Sequence, residues 1–167
     1  ANGTRKALNA GKCLGIGGVD RAEIGKQIEK DYAGQEIMLI GVLRGSFIFM
    51  ADLVRKIEHP CLIDFMSVSS YGKGTKSSGQ VQITKDLSSD ISDKHIIVVE
   101  DILDSGNTLA YLRNHFINKG AKSITVVTLL DKPERRVKDI KADPSTPGSG
   151  AAFGNEEKLV WKEETIQ

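Results

Sequence analysis

The chain has little of what marks several broad classes of protein. Only two of its 167 residues are cysteine, Cys13 and Cys61, far apart and without metal-ligand spacing, so a disulfide scaffold or zinc site is not expected and reduced thiols are the default. No charge sign dominates. The 23 Lys and Arg against 22 Asp and Glu leave a formal +1, without the basic excess that binding a nucleic-acid backbone demands. No apolar run approaches the length of a membrane span, and the opening residues carry Arg5, Lys6 and Lys12 with no apolar block, so they do not read as a signal peptide. These absences predict a soluble, cytoplasmic chain with neither nucleic acid nor membrane as partner. The length suits one domain, 1–167, with a sizeable core.

What is present centres on Ile96-Ile97-Val98-Val99-Glu100-Asp101-Ile102-Leu103-Asp104-Ser105-Gly106-Asn107-Thr108-Leu109. Four β-branched residues in a row predict a strand buried on both faces, as in the middle of a parallel sheet. Two carboxylates follow where that strand is expected to end, then small polar residues, then an amphipathic pattern from Leu109 to Lys119. Strand, short loop and helix N-terminus form a natural anion site, because the first N–H groups of a helix lack intrahelical partners and carry the positive end of its dipole. Gly106 lets the backbone approach a phosphate, and Ser105 and Thr108 add hydroxyl donors. Glu100 and Asp101 would be repelled by the same phosphate, so they should face ribose hydroxyls or a divalent cation. A Ser-Gly turn taken alone is more often a plain helix cap.

The whole run is more specific than that turn. It resembles the phosphoribosyl-diphosphate (PRPP) signature of the type I phosphoribosyltransferases: four apolar residues, Glu-Asp, two apolar residues, then Asp-Ser/Thr-Gly. The resemblance spans residues 19–143 and is nearest to the bacterial hypoxanthine (hypoxanthine-guanine) branch. It implies an α/β fold, a mostly parallel twisted sheet flanked by helices, with a small hood region that is here partly missing or rearranged. It further implies transfer of the 5-phosphoribosyl group from PRPP to hypoxanthine or guanine with Mg²⁺, in a homo-oligomer (dimer or tetramer). Asp104 would be the catalytic residue, Ser105, Gly106, Asn107 and Thr108 the phosphate site, and Glu100 and Asp101 the ribose and metal ligands. A non-catalytic PRPP- or nucleotide-binding regulator of the same fold is the alternative.

Other segments fit the same frame. Ile24, Ile28 and Tyr32 recur every four residues and predict a helix from Val19 to Tyr32, with Asp20 as N-cap and Glu23 as its capping-box partner. Residues Ile37 to Leu43 predict a second buried strand, and Arg44-Gly45-Ser46 then leads into a helix through Phe47, Met50, Leu53 and Val54. By resemblance, Arg44 and Gly45 belong to a pyrophosphate-binding turn with a non-proline cis peptide. Cys61 to Ser69 predicts a third strand, and Ser70 to Gly79 a polar loop. In the family that loop, with its Ser70-Tyr71 pair, closes over the site. Val81 to Thr84 would be the returning strand. Ser123 to Leu130 predicts another strand, after which Lys132 resembles the family's donor to a 6-oxopurine and Arg136 its arginine near pyrophosphate.

The two ends, 1–18 and 144–167, depart from the family pattern. Gly15-Ile16-Gly17-Gly18 is not a dinucleotide fingerprint, since no strand precedes it and the spacing is wrong. Pro144 to Gly150 reads as a linker, and Glu156 to Gln167 resembles the family's opening strand, expected to pack beside the first helix.

Overall fold

A computed structural model describes residues 21–71, 80–131, 135 and 160–165; for 71, 130, 131 and 160–165 it describes the backbone alone. In chain order these are α1 (Arg21–Asp31), β1 (Ile37–Leu43), α2 (Phe47–Val54), β2 (Cys61–Tyr71), β3 (Gln80–Lys85), β4 (His95–Leu103), α3 (Asn107–Asn118), β5 (Ser123–Asp131) and β6 (Val160–Thr165). The strands form one six-stranded sheet in the order β3-β2-β1-β4-β5-β6. Its four central strands are parallel, and β3 and β6 close the edges antiparallel.

The apolar runs are explained by burial on both faces. Ile37 and Leu39 of β1 and Ile97 and Val99 of β4 pack under α1 and α2, against Ile24, Ile28, Tyr32, Phe49, Met50 and Leu53. Their neighbours Met38, Ile40 and Val42, with Ile96 and Val98, face the other way onto Leu109, Leu112 and Phe116 of α3. Successive side chains of a strand point to opposite faces, so only a strand covered by helices on both sides can be continuously apolar. At about 1.5 to 3 kcal/mol for each fully buried large aliphatic side chain, these two layers supply the main drive to fold.

Polar ties fix how the helices sit. Tyr32 is 2% exposed, and its hydroxyl lies 2.5 Å from Thr125 Oγ1 on β5, which satisfies a group that burial would otherwise penalise. Asp52 of α2 faces Arg21 of α1 at 3.9 Å and also pairs with Arg55. Beyond the sheet, Asp86 holds His115 at 2.9 Å and Lys119 at 3.2 Å, joining the end of β3 to the far half of α3.

The structure shifts several expected boundaries. Ser70 and Tyr71 are not loop residues but the last two of β2, paired with Val81 and Gln80 of β3. Hydroxyl-rich composition suggested a loop there, whereas the antiparallel ladder gives each backbone group a partner and carries the strand on. Likewise β4 continues through Glu100 and Asp101 to Leu103, because Ile102 and Leu103 stay in register with Leu130 and Asp131 of β5. Helix α3 begins at Asn107, so Asn107 and Thr108 lie in its first turn. Val160–Thr165 is a strand on β5, with Trp161 opposite Val127. Val127 lies in the cluster that α1 covers, so the tail joins the sheet on the strand beneath that helix. Cys61 is a free thiol, whereas Val19, Asp20 and Cys13 lie outside the described residues.

Candidate active site

The sheet order places the site before any side chain is considered. From β1 the chain turns to one neighbour, β2, through α2 on one face; from β4 it turns to the other, β5, through α3 on the opposite face. Adjacent strands whose following helices leave to opposite sides open a crevice at their carboxyl ends, where ligands of open α/β sheets bind. The residues just past β1 and β4 are Arg44-Gly45-Ser46 and Asp104-Ser105-Gly106. Gly45 and Asp104 to Gly106 line one cleft, together with Ser70, Glu100, Asp101 and Thr108.

The loop after β4 has the backbone an anion needs. Gly106 is the N-cap of α3 with φ 82° and ψ −5°, a left-handed conformation that costs a side-chain-bearing residue about 1 kcal/mol or more. Ser105 Oγ accepts the Asn107 N–H at 3.3 Å, and its hydroxyl hydrogen remains able to donate. The opposite loop is tighter. A Cβ built on Gly45 would lie 2.0 Å from Asp101 Oδ2, so the Asp101 carboxylate packs where any side chain at 45 would stand. The Leu43–Arg44 peptide is cis. Ser46, fully buried, donates its hydroxyl to the Val42 carbonyl at 2.7 Å and ties the turn back to β1.

The carboxylate pair is electrostatically loaded. Glu100 is 8% exposed, and burial, reinforced by the neighbouring Asp101 charge and only partly offset by the Asp101 N–H, pushes its carboxyl up to about 8. Asp101 is also raised by burial, against the Ile102 N–H that its Oδ1 accepts at 2.9 Å. A buried acid beside a half-buried one, both with raised affinity for protons, is a site that a cation would relieve. Among the described residues no group of three or more His, Cys, Asp or Glu side chains could hold a metal by itself. The pair thus fits Mg²⁺ held the usual way, by one or two carboxylates with substrate oxygens and water completing the shell.

A model of the phosphoribosyl transferase domain matches residues 19–153. The chain belongs to the phosphoribosyltransferase family. It is 51% identical over 125 residues to the hypoxanthine-guanine phosphoribosyltransferase of Streptococcus mutans, a match covering 75% of this chain and 69% of that protein. Among solved structures, the hypoxanthine phosphoribosyltransferase of Staphylococcus aureus superposes with a TM-score of 0.69 at 46% identity, covering 72% of this chain and 66% of that one. A hypoxanthine-guanine phosphoribosyltransferase from Bacillus anthracis, solved with a HEPES molecule in its active site, gives a TM-score of 0.69 at 50% identity, covering 74% and 72%. The chain therefore spans about two thirds of the length of such relatives.

Within this phosphoribosyltransferase the structure gathers most of the expected residues. Gly45, Ser70, Glu100, Asp101, Asp104, Ser105, Gly106 and Thr108 share the cleft, and Arg44 and Asn107 adjoin it in sequence. Ser70 reaches it from the end of β2. Lys132, Arg136 and loop residues 72–79 lie outside the described residues, as does the side chain of Tyr71. Sequence reasoning missed Arg135, whose Nε lies 3.0 Å from Asp104 Oδ1. The adjacent arginines 135 and 136 were a signal that a cation faces this edge, but not which of them meets Asp104. It missed too the apolar floor of Val42, Leu43 and Val68. No helix among the described residues is long and apolar enough to cross a membrane.

Proposed function

We propose that this phosphoribosyltransferase moves the 5-phosphoribosyl group of PRPP onto hypoxanthine, with guanine as a second acceptor, giving the nucleoside monophosphate and pyrophosphate. One observation carries the reading: a helix start with the backbone an anion needs, the Glu100 and Asp101 carboxylates and Gly45 of the Arg44-Gly45 turn line one cleft at the switch point of the sheet. Relatives of about 50% identity that bear the hypoxanthine-guanine phosphoribosyltransferase name support the choice of base.

In this reading the 5-phosphate rests on the N–H groups and hydroxyls of Ser105 to Thr108, and the ribose hydroxyls on Glu100 and Asp101. The pyrophosphate lies toward Arg44 and Gly45. Mg²⁺, when bound, neutralises the departing pyrophosphate. The N9 lone pair of the purine forms the new bond to C1 as the C1–O bond breaks and its electron pair leaves on pyrophosphate. Asp104 takes the proton that the purine gives up at N7, so charge does not build on the base. Lys132 is the donor to the 6-oxo group; a 6-amino group would set donor against donor there, the kind of mismatch that rejects a substrate strongly. By the same resemblance Arg136 is assigned to pyrophosphate, and the segment after Tyr71 to excluding water from the ribose carbon. The homo-oligomer and the cytoplasmic setting belong to the same proposal.

Incubation with PRPP, Mg²⁺ and hypoxanthine should yield inosine monophosphate. Tight PRPP or nucleotide binding without any product would instead favour the non-catalytic regulator.

A further inference from the structure

We propose that Arg135 is a positioning residue for Asp104, holding its carboxylate in the orientation that accepts the purine proton; this rests on the phosphoribosyl-transfer reading above. Leu103, just before Asp104, pairs with Asp131 at the carboxyl edge of the sheet. There Arg135 Nε stands 3.0 Å from Asp104 Oδ1, and the carboxylate lines the cleft with its side chain 41% exposed.

The chemistry suits a guide rather than an acid. A guanidinium stays protonated at any working pH, so it can hold a carboxylate without competing for the proton being moved. A cation 3.0 Å from Oδ1 draws that oxygen toward itself and leaves Oδ2 as the one to take a proton. At 63% and 41% side-chain exposure such a pair is weak in the open site. It strengthens when the substrate displaces water, because the effective dielectric constant then falls. The effect belongs in turnover, not in substrate affinity.

Arg135→Gln should lower kcat about tenfold while KM for PRPP and hypoxanthine stays within about threefold, since a pair that strengthens as substrate displaces water acts on kcat. Arg135→Lys, which keeps the charge, should recover part of the loss. In a double-mutant cycle, Arg135→Gln placed on Asp104→Asn should cost nothing further, because the residue acts through Asp104. Independent additive losses, or a defect confined to KM for PRPP, would overturn the proposal and make Arg135 a pyrophosphate ligand. A readout free of turnover separates this from failure of the reaction itself. The carboxyl carbon resonance of Asp104, read at one fixed pH, should move in Arg135→Gln relative to wild type, because the guanidinium beside Oδ1 is gone. If wild type makes no inosine monophosphate but that shift is seen, the reaction is wrong and the Arg135–Asp104 coupling stands. If product forms and neither the cycle nor the resonance shows coupling, Arg135 is not a positioning residue.

Discussion

Neutralising Glu100 tests the electrostatics of the site most directly. Its carboxyl is raised to about 8 because burial and the Asp101 charge both disfavour the anion, whereas in the unfolded chain it titrates near its ordinary 4.5. The folded state thus holds a proton that the unfolded state has lost. The stability this confers is fully present below about pH 4.5 and is lost progressively as pH rises to about 8. At about 1.4 kcal/mol per pH unit of separation, the whole loss is about 5 kcal/mol, an upper figure because water enters to solvate an ionised group. Against a typical domain stability of about 5 to 15 kcal/mol that is large. Glu100→Gln keeps the shape and removes the titration. Urea unfolding of both proteins from about pH 5 to 9 should show wild type losing about 2 to 4 kcal/mol relative to the variant, a midpoint shift of about 1 to 2 M. Asp101→Asn should make the decline end at a lower pH and shrink, with its onset near pH 4.5 unchanged, since it removes the second cause of the raised carboxyl. Parallel profiles for wild type and Glu100→Gln, offset by a constant, would refute the reasoning and show Glu100 to be solvated in the folded state.

Three further outcomes are expected. Binding of PRPP with Mg²⁺ should release a proton between about pH 6 and 8, as cation and ribose hydroxyls stabilise the Glu100 anion; calorimetry in buffers of differing ionisation enthalpy reads it, and buffer-independent heats would place the ligand elsewhere. Gly45→Ala should displace Asp101, whose Oδ2 stands 2.0 Å from the new Cβ, and lower kcat/KM by about 10²-fold or more; activity within twofold of wild type would show that the turn yields easily. Asp104→Asn should cut turnover by about 10² or more while nucleotide affinity stays within a few-fold, and undiminished turnover would remove Asp104 as the proton acceptor.

Much of this protein was legible in its sequence because its signals are local. Apolar residues at successive positions in 37–43 and 96–99 can belong only to segments covered on both sides, and the two core layers cover them. The Asp104-Ser-Gly-Asn-Thr stretch could be read as a phosphate cradle because a helix start, a glycine and hydroxyls are all that the geometry requires. The strand ends were less legible: whether Ser70 and Tyr71 continue β2 depends on a partner strand that starts only at Gln80, and composition there argues for a turn.

Relations between distant segments came from packing alone. Arg135 Nε stands 3.0 Å from Asp104 Oδ1, a meeting of residues far apart in the chain that nothing in the pair Arg135-Arg136 announces in sequence. Gly45 is required because the Asp101 carboxylate comes from another strand to fill its space. The Glu-Asp dipeptide is ordinary in sequence; its raised acids arise from the walls that the sheet and helices build around it. Which groups are present, and the local backbone that presents them, could be read from the residues alone. Distances, burial and charge coupling followed only from packing, because they depend on what the rest of the chain brings within a few ångströms.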